Sequence, residues 1–81
     1  MISALPTPVA DEARRIAKRY LLPVGHVVGR VRHRRAVQAR HELWTVTLDT
    51  LDLSYPDAGR MFGVDHTTII HGVRRHRERR Q

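Results

Sequence analysis

Ser54-Tyr55-Pro56-Asp57-Ala58-Gly59-Arg60-Met61-Phe62-Gly63-Val64-Asp65-His66-Thr67-Thr68-Ile69-Ile70-His71 reads as two helices joined by a glycine-containing turn. Ser54 is placed as an N-cap, its hydroxyl accepting from a free N–H of the first turn. Pro56 is tolerated in that turn, where the missing N–H breaks no bond. Ala58, Met61 and Phe62 form the buried face, and Gly63 follows as the expected C-terminal glycine. Asp65 then caps a final helix over residues 66–79. In it Ile69, Ile70, Gly72 and Val73 turn inward, while His71, Arg74, Arg75 and Glu78 turn outward. Two helices so joined form a helix-turn-helix, whose second helix is shaped to enter a DNA major groove.

Upstream, a long helix is expected over about residues 34–51. Ala36, Ala39, Leu43, Trp44, Val46, Thr47 and Leu51 share one broad face, with Gln38, Glu42, Thr45 and Asp49 opposite. Trp44 is read as core. The basic cluster Arg30 to Arg35 leads into this helix. Before it, Val24 to Gly29 reads as one helical turn anchored by Val27 and Val28. Ala13, Ile16, Ala17, Tyr20 and Leu21 give a first helix over residues 10–21, ended by Pro23 and Gly25, with Asp11 and Glu12 at its dipole-favoured start. Residues 1–9, with Pro6 and Pro8, read as a flexible lead-in to a single domain over residues 10–81. No strand pattern or internal repeat occurs. The fold class is all-α, a small domain of four to five helices.

Composition narrows the function. The 81 residues suffice for one small core, and 41% hydrophobic content favours a folded chain. Without cysteine, disulfides and thiolate metal sites contribute nothing. Fifteen basic residues, fourteen of them Arg, against eight acidic ones give a net charge of +7. That excess points to a polyanion, because the guanidinium fork grips phosphate and guanine bidentately. The bland reading is a G- and C-rich genome that favours Arg codons. No run of residues has the length of a membrane span, and Met1 to Pro6 lack signal-peptide character. A soluble, cytoplasmic, nucleoid-associated protein is expected.

The chemistry concentrates at the start of the last helix. Asp65, His66, Thr67 and Thr68 are short hydrogen-bonding side chains at the end that meets base edges. Asp accepts from cytosine N4, and Thr offers a hydroxyl and a methyl. The free N–H groups of the same turn suit phosphate. The bland reading makes Asp65 only a cap. His66, His71 and His76 recur at intervals of five, which does not bring metal ligands onto one helix face, and His76 is read as an edge-of-core residue. No metal, no cofactor and no catalytic constellation is expected. The tail from Arg74 to Arg80 reads equally as backbone-binding or as a solvated helix end.

These residues resemble the C-terminal DNA-binding domain (domain IV) of the bacterial replication initiator DnaA. The resemblance is carried by Ser54 to Gly63 and Asp65 to His71. It extends back through Arg32 to Arg40 and faintly to residues 13–21. It implies a Trp-repressor-like helix-turn-helix in which Asp65, His66 and Thr67 read bases in the major groove and Pro56 approaches the same groove. It also implies that Arg32 enters the adjacent minor groove, and that Arg40 and Thr68 hold phosphate. Arg35, His71, Arg74 and Arg75 complete the expected phosphate set. The implied target is an asymmetric, A/T-rich duplex box bound by one copy. Three departures stand out. The Gly63-Val64 link is one residue shorter than the family's usual turn, which commonly includes a basic residue, and is expected to tilt the last helix. Leu48 stands where the family often has a basic phosphate contact, and Thr50-Leu51-Asp52 alters the turn that follows. No G-x-x-x-x-G-K-[ST] phosphate loop occurs, so the chain is not expected to act as a complete initiator by itself.

The expected function is sequence-specific duplex binding that regulates replication or transcription, in competition or contact with the initiator. A phage or mobile-element origin is compatible with it. Two alternatives are carried: a helical adaptor in a replication or partition complex, and a nonspecific nucleic-acid binder.

Overall fold

The computed structural model describes residues 4–80, which form five helices: α1 (Thr7–Tyr20), α2 (Val24–Val28), α3 (Arg34–Leu51), α4 (Tyr55–Phe62) and α5 (His66–Arg79). The all-α class and the helix-turn-helix made by α4 and α5 agree with the sequence pattern. No helix among the described residues is long and apolar enough to cross a membrane.

α1 begins at Thr7, three residues ahead of its expected start. Pro8 sits in its first turn, and Val9 and Ala10 are buried. Burial of Val9 decides the matter, since a proline in the first turn costs no hydrogen bond. Asp11 and Glu12 consequently lie beyond that turn and pair with Arg14 and Arg15 instead. Residues 1–3 of the expected lead-in lie outside the described residues. α1 ends on Leu21 in the left-handed region, φ 57°, before Pro23 starts α2.

α3 is the central element and packs against each of the other four helices. Its N-cap is His33, whose Nδ1 accepts from the Ala36 N–H at 3.2 Å. Ala36, Ala39, Leu43, Trp44 and Thr47 are buried as expected. The buried stripe is wider than the pattern indicated, because four partners surround α3. Thr45, expected on the solvent side, is buried and satisfies its hydroxyl by donating to the His41 carbonyl at 2.9 Å. Leu48 is buried too, and Val46 only half-buried. Leu48 thus belongs to the core at the position where a basic contact was noted as missing.

Two apolar clusters lie along α3. One joins Val9, Ala13, Ile16 and Ala17 of α1 to Val27 of α2 and to Ala39 and Leu43. The other joins Trp44 and Leu48 to Ala58 of α4 and to Ile69 and Val73 of α5. Phe62 is packed against both. On α5 the buried residues are Ile69, Gly72, Val73 and His76, while Ile70 is half-buried.

Two glycines set helix separations. A Cβ on Gly72 would stand 2.5 Å from the Trp44 ring and 2.8 Å from His41. A Cβ on Gly59 would stand 2.7 Å from the Val64 carbonyl oxygen, because the short Gly63-Val64 link draws α5 back against α4. Gly63 closes α4 at φ 71°, a conformation glycine adopts without penalty.

Gly72→Ala is expected to lower unfolding free energy by about 1–3 kcal/mol through overpacking against Trp44, measured by urea denaturation. Wild-type stability in this variant would show that α3 and α5 separate freely.

Candidate nucleic-acid interface

Asp65 organises the first turn of α5. Its Oδ1 accepts from the Thr67 N–H at 2.9 Å and from the Thr67 hydroxyl at 2.7 Å, and lies 3.4 Å from His66 Nδ1. These hydrogen bonds from Thr67 hold the Asp65 carboxyl below the usual carboxylate range. At neutral pH Asp65 is therefore an acceptor, with Oδ2 left for a donor outside the protein. Thr67, having spent its hydroxyl proton, presents lone pairs and a methyl. Asp65, His66, Thr67 and Thr68 are all exposed. The Asp65 cap fixes the side chains beside it.

Two open grooves flank this turn, and a third lies farther along α5. Arg32, Arg40, His41, Asp65 and Thr68 line the first, which runs between the basic loop and α5. Pro56, Arg60, Asp65 and His66 line the second, between α4 and α5. Arg32, Arg34, His41, Arg75 and Arg79 line the third, along the C-terminal half of α5. Thr67, His71 and Arg74 recur at three- and four-residue steps on the exposed face of α5, opposite Ile69 and Val73. The base-reading candidates therefore cluster around one helix end, with Arg32 across a groove from Thr68.

Two of the arginines expected on phosphate are engaged within the protein. Arg40 donates from Nε to the Val27 carbonyl at 3.2 Å, and from Nη2 to those of His26 at 2.8 Å and Val31 at 2.7 Å. Burial and the neighbouring Arg32 charge lower its pKa. Its Nη1 hydrogens remain for a ligand. Arg35 donates to the Tyr20 carbonyl at the end of α1. Arg30, to which the sequence assigned no separate role, donates to the Gly63 carbonyl at 3.2 Å and ties the basic loop to the helix-turn-helix turn. The sequence carries no sign of this bond beyond the unmet carbonyls that every helix C-terminus leaves.

Charge is distributed unevenly. Asp11, Glu12, Glu42, Asp49 and Asp57 pair with Arg14, Arg15, Arg19, Arg77 and Arg60 respectively. Among the described residues Arg32, Arg34, Arg74 and Arg75 have no ion pair. Of these, Arg32 lines the groove that also holds Asp65 and Thr68.

Matching this geometry, the model of the bacterial dnaA protein helix-turn-helix aligns with residues 13–75. The chain belongs to this family. The dnaA helix-turn-helix is a DNA-binding domain associated with replication initiation, which accords with the exposed recognition turn and the arginines around it. The chain is 37% identical over 60 residues to the chromosomal replication initiator protein DnaA of Neisseria meningitidis serogroup B, covering 73% of this chain and 12% of that protein. It is 32% identical over 63 residues to that of Deinococcus deserti, covering 78% and 14%. For Cereibacter sphaeroides strain ATCC 17029 the identity is 35% over 68 residues, covering 83% and 15%. The matched region thus spans less than a sixth of each of these dnaA relatives. No solved structure matches the chain.

His41 was missed in the sequence, although it follows Arg40 directly. It sits half-buried under the grooves, its ring 5.4 Å from Trp44 and its Nδ1 3.3 Å from Arg79 Nη2. Burial, aided by the charges of Arg79, Arg40 and Arg75 and by His76, lowers its pKa to about 4. His76 is lowered in the same direction, chiefly by burial.

A histidine with a depressed folded pKa binds fewer protons when folded than when unfolded, so its contribution to stability is complete above pH 6.5. Stability should fall as pH drops from 6.5 toward 4, and denaturation of His41→Gln should show a shallower loss across that window; an identical slope would remove His41 as a source. Arg40→Met should orphan loop carbonyls, cost about 1–3 kcal/mol and speed amide exchange in residues 26–31. Unchanged exchange there would show that Arg40 does not hold the loop.

Proposed function

We propose that this chain binds duplex DNA sequence-specifically at DnaA-box-like sites and thereby regulates replication or transcription. The observation that carries the reading is the groove shared by Arg32, Arg40, Asp65 and Thr68. It places an unpaired arginine on one side and the first turn of the recognition helix on the other. A duplex with α5 in its major groove runs its backbone along this groove, bringing the next minor groove to Arg32. Narrow A/T-rich DNA focuses negative potential there and favours an inserted arginine.

In this reading Asp65, His66 and Thr67 meet base edges, with Pro56 at the groove wall. Thr68 and the free Nη1 of Arg40 meet phosphate, and His71, Arg74 and Arg75 hold backbone farther along α5. Arg35 gives one donor to the Tyr20 carbonyl and keeps its others for phosphate. The roles are not symmetric, so the site is an asymmetric A/T-rich box with one copy of the domain on each box. Occupying boxes of the replication initiator lets the chain compete with it for DNA.

Selection of preferred duplexes from a random pool tests the proposal. The wild-type chain should yield one asymmetric motif. His66→Ala and Thr67→Ala should relax it at individual positions by about 1–3 kcal/mol per base pair, while Arg32→Ala should mainly erase the A/T preference. Absence of a motif, together with steep salt dependence, would mark a nonspecific polyanion binder. Weak, salt-insensitive binding would favour an adaptor.

A further inference from the structure

Arg60 lies one helical turn after Pro56 on α4, outside the set of residues assigned above to DNA. It lines the groove that also holds Pro56, Asp65 and His66. Of the described residues lining that groove, Arg60 alone carries a permanent positive charge. Its side chain is 73% exposed.

A hydrogen-bonded chain orients this guanidinium. The Asp57 N–H donates to Ser54 Oγ at 3.2 Å, closing the cap of α4. The Ser54 hydroxyl and Arg60 in turn hold the Asp57 carboxyl below its usual range. Arg60 donates to Asp57 Oδ1 through Nη2. One edge of the guanidinium is thus held by Asp57, and the remaining donors have no partner among the side-chain hydrogen bonds of the described residues. Arg has five N–H donors in a planar fork, so it can keep Asp57 and still engage two further acceptors. An exposed i,i+3 ion pair contributes little to stability by itself.

We propose that Arg60 is a DNA-contacting residue, buttressed by Asp57, whose free edge engages a pair of acceptors on the duplex beside His66. The inference rests on the proposed function. The shared chemistry is a bidentate acceptor, either two phosphate oxygens or guanine O6 and N7. The Gly63-Val64 link holds no basic residue, and Arg60 supplies the positive charge to the same groove from α4.

The test uses the full chain and its selected duplex, comparing Arg60→Gln, Arg60→Lys and Asp57→Asn by affinity, salt slope and repeated selection. Thermal melting checks that each variant folds. Arg60→Gln should weaken binding by about tenfold, a typical size for a bidentate contact. A uniform loss across duplexes, with the salt slope reduced by about one, assigns the phosphate. Relaxed selection at one position, not rescued by Lys, assigns guanine. Asp57→Asn should lose less affinity than Arg60→Gln while melting no higher. Wild-type affinity, slope and motif in Arg60→Gln would overturn the inference, and unchanged affinity in Asp57→Asn would remove the buttress. If His66→Ala loses the motif while Arg60→Gln keeps it, only the role of Arg60 falls. If the wild-type chain selects no motif, the proposed function falls first.

Discussion

The Trp44 ring seated on Gly72 is the contact on which the rest of the interface depends. The ring occupies space that any Cβ at residue 72 would fill, so α5 lies closer to α3 there than an alanine would allow. Phe62 of α4 and His41 of α3 flank the Trp44 ring, at 6.4 Å and 5.4 Å between centroids, and Gly72 of α5 lies against it. Close packing of this kind leaves little freedom for the recognition helix to roll. The side chains at its first turn keep a fixed relation to the loop that precedes α3.

That loop is held from two directions. Arg40 gathers three carbonyls between His26 and Val31, and Arg30 reaches forward to Gly63. The arginines therefore divide into two groups with different work. Some saturate backbone carbonyls or pair with acids on α1, α3 and α4. Others, with Arg32, Arg34, Arg74 and Arg75 among them, stay without ion pairs. A net charge of +7 is thus a poor measure of the interface. Its usable part is the set of guanidinium donors that folding leaves without partners around the grooves.

Asp65 has an apparent conflict, since a carboxylate at a DNA interface repels phosphate. The geometry resolves it by giving one oxygen two hydrogen bonds from Thr67. The other oxygen remains an acceptor, and the cap keeps His66 and Thr67 in register with it. In the proposed function, this single side chain both starts the helix and faces the groove.

The sequence by itself determined the all-α class, the limits of α3, and the caps Ser54, Gly63 and Asp65. These are local matters, set by spacing and by backbone groups that only certain residues satisfy. The exposed placement of His66, Thr67 and Thr68 was legible for the same reason, because a helix with Ile69 and Val73 inward must turn its first residues out. Tertiary structure alone decided that α1 starts at Thr7, where Val9 finds a core, and that Thr45 and Leu48 are buried under partners the α3 pattern does not name. It also decided which arginines are free. Arg30, Arg35 and Arg40 look like Arg32 and Arg34 in the chain, and only the carbonyls brought to them from elsewhere in the fold separate the clamps from the charges left for a ligand.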